Sequence, residues 1–221
     1  MSANDDGTVN VPSGSGFASP DIPIAGENGE ITPDWYRQLV ELYQHSGLAM
    51  AGFKMWTSTV VNGCSIIPDD VSPPTLATFV SPTKLYSFDD STICEGHGAI
   101  TLPGDYVDGT DLYPFARWAP SSTSTGVCRW SLDYTVGKEG SAFGSNVSEN
   151  IFTAGSGTVN KHQVTEWSLL DGETLKSGDA ISFRIKRLGN GEDDLFSGDA
   201  FLLAVGFHHL VGVPGRNGRV R

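Results

Sequence analysis

Two apolar runs near the C-terminus constrain this chain most; they are joined by the acidic, glycine-rich stretch GNGEDDLFSGD within residues 178–209. In the first run Ile181, Phe183 and Ile185 alternate with Ser182, Arg184 and Lys186. Successive strand residues point to opposite faces, so this run belongs to a sheet with one dry face and one wet face. In the second run, DAFLLAVGFHHL, apolar or small residues fill both phases, the pattern of a strand covered on both sides. Neither run sets a nucleophile beside a base, so the pair signals architecture and no chemistry.

The rest of the C-terminal half repeats this rhythm. In CRWSLDYTV, Cys128, Trp130, Leu132, Tyr134 and Val136 share one phase while Arg129, Ser131, Asp133 and Thr135 share the other. Short runs around Tyr86, Ile100, Phe115, Val164 and Trp167 are bounded by Gly, Pro, Asp or Ser. Glycine is 27 of the 221 residues, well above its usual share of about 7%. Many short strands between such turns predict a mainly β chain with a jelly-roll-like antiparallel sandwich over residues 85–213.

Ahead of it the chain divides into three pieces. Residues 1–30 carry five acids and no base and have too little apolar content for a core, which predicts an extended arm that becomes ordered on a partner surface. Val9, Val11, Phe17, Ile22 and Ile24 are its candidate anchors. Residues 31–47 are expected to form a helix, with Thr32 as the N-cap, Pro33 as the first helical residue, Asp34 as the first-turn acid and Gly47 as the stop. Its apolar face of Trp35, Tyr36, Leu39, Val40, Leu42 and Tyr43 is too broad for a lone helix. That face either docks on the β domain or meets copies of itself around a symmetry axis. Residues 48–84, broken by Pro68, Pro73, Pro74 and Pro82, read as a connector with one or two short strands, and 214–221 as a basic tail.

Charge and motif content narrow the chemistry. A net charge of -12 disfavours nucleic acid as a partner, because phosphate backbones need Lys and Arg. No run reaches membrane-spanning length, and the N-terminus lacks the basic and apolar regions of a signal peptide. Cys64, Cys94 and Cys128 have neither zinc nor redox spacing, and an odd count disfavours a disulfide framework. The adjacent His208 and His209 point to opposite faces of a strand, so one is expected buried and one exposed, with no shared metal. Asp105, Asp108 and Asp111, and Glu192, Asp193, Asp194 and Asp199, could bind a hard cation but lack the EF-hand order; solvated turn acids are the simpler reading. No hydrolase or nucleotide-binding motif occurs, so neither catalysis nor a cofactor is expected. Tyr106, Tyr113 and Trp118, in or beside a turn-rich segment, are the candidate ligand-facing aromatics; the alternative is that they pack in the core.

The segment GEITPDWYRQLVELYQHSG, together with LPGDYVDGTDLYPFARWAP, CRWSLDYTVG, LKSGDAISFRIKRLG and DDLFSGDAFLLAVGFHHL, resembles small virion proteins of tailed bacteriophages, of the head-fibre, capsid-decoration or tail-fibre type. The resemblance implies a homotrimer located in the virion, assembled in the host cytoplasm and attached through its N-terminal part to major capsid or tail proteins, with a β-sandwich knob outward. It implies a structural role, as capsid decoration or head spike, with a receptor- or glycan-binding tail knob meeting a host surface glycan as the alternative.

Overall fold

The computed structural model describes residues 54–212. The arm of 1–30, the helix of 31–47 and the tail of 214–221, with the anchoring and oligomerisation residues assigned to them, lie outside the described residues. The chain runs β1 (Met55–Asn62), a 3-10 turn (Gly63–Ser65), β2 (Ile67–Pro68), β3 (Thr75–Thr78), β4 (Lys84–Phe88), β5 (Ile93–Thr101), β6 (Tyr113–Pro120), β7 (Val127–Gly137), β8 (Val147–Ala154), β9 (Gln163–Glu166), β10 (Ala180–Leu188) and β11 (Ala200–Val211).

Two antiparallel sheets pack face to face in a jelly-roll-like sandwich. One has the order β3-β4-β11-β6-β9, with β1 also paired to β11; the other has the order β2-β5-β10-β7-β8. Strand β10 shows the expected alternation, with Ile181, Phe183 and Ile185 inside and Ser182, Arg184 and Lys186 outside. Trp118, Trp130, Phe88 and Phe196 fill the space between the sheets, with Trp118 and Phe196 ring centroids 5.7 Å apart. Burying each such side chain is worth about 1.5–3 kcal/mol. The Trp118 indole Nε1 donates to Thr165 Oγ1 at 3.0 Å, and Thr165 Oγ1 lies 2.8 Å from Thr153 Oγ1. Those hydroxyls couple β9 to β8 across the two sheets and let a polar atom stay inside.

Both phases of β11 are apolar because its register against β6 shifts between Leu202 and Ala204. A bulge of this kind moves the following residues to the other face. Leu202, Val205 and Phe207 therefore all enter the core, while Ala204, Gly206 and His208 take the outer phase.

The sandwich begins earlier than residue 85. Part of the stretch read as a connector, 48–84, is built into both sheets: β1 pairs with β11 from Met55↔Val211 to Asn62↔Ala204, and β2 pairs with β5. The four prolines that suggested irregular chain sit at the margins, Pro68 ending β2, Pro73 and Pro74 preceding β3, and Pro82 preceding β4. Without β1, the backbone of β11 from Ala204 to Val211 would have no strand beside it on that edge, a cost that folding avoids.

Candidate functional site

The outer face of the first sheet carries a cleft of about 320 Å3 lined by Trp56, Tyr113, Glu166 and His208. Each side chain comes from a different, adjacent strand: β1, β6, β9 and β11. Strand periodicity selects them. The outward phase of β6 contains Tyr113, Phe115 and Arg117, and the register sets Tyr113 opposite His208, Phe115 opposite both Gly206 and Glu166, and Arg117 opposite Ala204.

Trp56 and Tyr113 meet edge to face, with ring centroids 5.3 Å apart and planes at 71°. They are 53% and 37% exposed, so two aromatic rings form adjoining walls that remain open to solvent. His208 is fixed from two sides: its ring stacks on Phe115 at 4.3 Å and 23°, and its Nδ1 lies 2.6 Å from Ser58 Oγ. Phe115 is itself fully buried, because Gly206 beneath it has no side chain; a Cβ there would meet the Phe115 ring at 2.4 Å. The exposed Glu166 supplies a carboxylate at the rim. Chemically the cleft offers two aromatic walls, one acceptor and one imidazole.

The three candidate aromatics are therefore separated. Tyr113 lines the cleft; Tyr106 and Trp118 are fully buried. Trp118 lies five residues from Tyr113 on one strand, an odd separation that places the two on opposite faces. Tyr106 belongs to a turn that folds under the end of β11, where Val107 N donates to Leu210 O at 2.9 Å and Gly212 N to Asp105 O at 2.8 Å. Its hydroxyl donates to the Thr110 carbonyl and its ring faces His209 at 6.1 Å, so the turn closes the core. Trp56, Glu166 and His208 are not among the ligand-facing residues that the sequence pattern points to. Trp56 was legible in principle, since the β-branched residues Thr57, Thr59, Val60 and Val61 that follow it mark a strand.

The histidine pair divides as expected: His209 is buried with Nδ1 3.1 Å from the Phe207 carbonyl oxygen, and His208 is partly exposed. The turn acids are used as staples. Asp111 accepts from Gly172 N at 3.0 Å and Asp108 from Ser177 N at 2.7 Å. Asp89, Asp90 and Asp199 bring one carboxylate oxygen each within 4.8 Å of one another, a set that could hold a cation. All three also accept from the protein: Asp89 from Ser91 N, Asp90 from Gly198 N and Asp199 from Ser87 Oγ.

The outer face of the second sheet is charged and self-paired. Asp133 accepts from Arg184 and Ser148 and lies 2.8 Å from Lys186 Nζ, while Arg184 also reaches Glu95 at 2.9 Å. Burial alone would raise the Asp133 carboxyl, but the donors from Lys186, Ser148 and Arg184 outweigh it and hold the pKa below the usual aspartate value. The Asp133 cluster is satisfied internally.

No protein-family model matches the sequence, and no curated protein is similar to it. Solved structures similar to this chain include the family 35 carbohydrate-binding module of Cellvibrio japonicus Abf62, at 9% identity and a TM-score of 0.41 over 71% of this chain and 97% of that one. A family 35 module from Clostridium thermocellum gives 11% identity and a TM-score of 0.37 over 71% of this chain and 98% of that one. TmCBM61, solved in complex with β-1,4-galactotriose, gives 15% and 0.32 over 72% and 88%. Similarity at this level concerns the sandwich architecture; a ligand has to be read from this chain's own residues.

Proposed function

We propose that this chain is a non-catalytic binding protein whose sandwich holds a glycan in the cleft of Trp56, Tyr113, His208 and Glu166. The observation that carries this reading is the half-exposed, edge-to-face Trp56–Tyr113 pair beside a carboxylate and an imidazole. Sugars present C–H faces that stack on aromatic rings and hydroxyls that need hydrogen-bond partners, and a cleft mixing a broad apolar surface with a few polar groups meets both demands. Glu166 is the sole acid among the described residues lining the cleft, whereas glycoside hydrolysis uses a pair of carboxylates flanking the bond. Binding without turnover is the reading this supports.

The test is isothermal titration against a panel of neutral and acidic oligosaccharides, with Trp56→Ala and Tyr113→Ala beside the wild-type chain. Each substitution is expected to weaken binding about tenfold or more, from the loss of one stacking surface. A wild-type protein that binds none of the panel, and whose fluorescence change on particle or oligomer assembly is lost in Trp56→Phe, would overturn it in favour of an attachment surface.

The setting we propose for this domain is the outside of a tailed-phage particle, as a homotrimer attached through residues 1–47; the N-terminal segment's resemblance to virion proteins supports it. Deleting residues 1–29 should leave a trimer by light scattering that no longer joins particles. Normal decoration by the deleted chain would refute that setting and leave the cleft untouched.

A further inference from the structure

On the same outer face, two residues along β6 from Phe115, lies a further cation, Arg117. The chain has 26 acids against 14 bases, and the other described arginines follow that excess: Arg129 pairs with Asp193, Arg184 with Glu95 and Asp133, and Arg187 with Asp194. Arg117 forms no ion pair among the described residues. Its guanidinium lies over the Phe115 ring, 5.1 Å from the centroid, and its Nε is buried without a hydrogen-bond partner. Phe115 stands between Arg117 and Tyr113 on this phase of β6, so the guanidinium leans back toward the cleft. Across from Arg117 are Ala204 on β11 and Val164 on β9, neither of which can accept from it through a side chain.

We infer that the ligand of this cleft is an acidic glycan, whose anionic substituent pairs with Arg117 while a sugar ring stacks on Trp56 and Tyr113. The inference rests on the glycan-binding reading. A guanidinium pinned on an aromatic ring has already lost much of its side-chain freedom, and it presents a planar fork matched to carboxylate or sulfate oxygens. No acceptor for it is found among the described residues, so its outward Nη groups are open to an incoming anion. The backbones of Tyr113 and Arg117 are about 13 Å apart along the strand, and the guanidinium leans back over Phe115 to shorten that reach. A ligand with its anionic group beside a stacked ring spans the remaining gap. Glu166, opposite Phe115, would face hydroxyls between the two.

The experiment uses the intact protein and a panel of hexuronic and sialylated oligosaccharides, their carboxyl-reduced forms, and sulfated versions of the reduced forms. Wild type is expected to bind an acidic member about tenfold or more tightly than its reduced form, as loss of a charge-assisted hydrogen bond implies. Arg117→Gln should remove that preference and leave affinity for the reduced form within about twofold, with unchanged circular dichroism. Carboxylated and sulfated ligands compete as sources of the anion, and whichever loses affinity in Arg117→Gln identifies it. Equal wild-type affinity for charged and reduced forms, both lost in Trp56→Ala, would leave glycan binding standing and sink the acidic assignment. An equal loss for both forms in Arg117→Gln would give Arg117 a structural role and also refute it. Binding of no member by wild type removes both readings together.

Discussion

Arg187 and Asp194 form a two-pronged ion pair inside the sandwich: Nη2 reaches Oδ1 at 3.0 Å and Nε reaches Oδ2 at 3.1 Å, with both side chains fully buried. The arginine occupies the core-facing phase of β10, following Ile181, Phe183 and Ile185. Its remaining donors go to the carbonyls of Phe88, Phe196 and Gly198. One side chain thus ties the end of β4 and the β10–β11 loop to the core. Burial opposes the Arg187 charge, but the Asp194 carboxylate more than offsets it and raises the pKa above the ordinary arginine value.

Replacing Arg187 by Met should cost about 3–5 kcal/mol in urea unfolding, because Asp194 would be left charged and buried without its partner. The double replacement Arg187→Met with Asp194→Leu should recover part of that loss, since both buried charges are gone. A double variant no more stable than the single one would mean that the carbonyl contacts, and not the ion pair, dominate.

Acid should weaken the fold through Asp69 and Asp133. Hydrogen bonds from Val71 N, His97 and Ser72 N pull the Asp69 carboxyl from its ordinary 3.8 to about 2. A carboxyl whose folded value is depressed stabilises the fold fully above its unfolded value and loses that contribution as pH falls through the folded one. For Asp69 the window is therefore between 3.8 and about 2, and Asp133 shifts in the same direction. The urea midpoint should fall with pH across this window and fall less steeply in Asp69→Asn. Identical slopes for the two proteins would contradict the assignment.

Gly206→Val should damage the cleft from below. A Cβ at this position meets the Phe115 ring at 2.4 Å, so the ring must move and its stack with His208 must open. We expect a destabilisation of about 1–3 kcal/mol, as for an overpacked core, together with weaker ligand binding and a shifted His208 ring resonance by NMR. An unchanged His208 resonance would show that the stack does not depend on the glycine.

Thiol reactivity should be graded. Cys128 is fully buried and burial pushes its thiol up to about 12, while Cys94 is buried and Cys64 exposed. Thiolate is the reactive form, so a native protein should react quickly at Cys64 alone and at all three cysteines after denaturation without reductant. Fast native labelling of Cys128 by mass spectrometry would argue that β7 opens readily.

Local pattern determined the strands that alternate. The phases of β10 and β7 could be written from the sequence because an antiparallel strand with one dry face must repeat every two residues, and the opposite facing of His208 and His209 follows from the same geometry. The odd spacing of Tyr113 and Trp118 carried the same information. What local pattern could not supply was pairing. Nothing within residues 55–62 says that they will lie beside Ala204–Val211, some 150 residues later, so neither the pairing of β1 nor the place of Trp56 in the cleft is legible locally. The bulge at Leu202/Ala204, which turns Gly206 and His208 outward, is set by the register against β6 and has no signature in β11 alone. The cleft needs one side chain from each of four strands, so it exists only once the sheet has assembled. Arg187 shows the converse limit: its phase was legible, but a charged side chain on an apolar phase makes physical sense only when Asp194 and three carbonyls, from elsewhere in the chain, close around it.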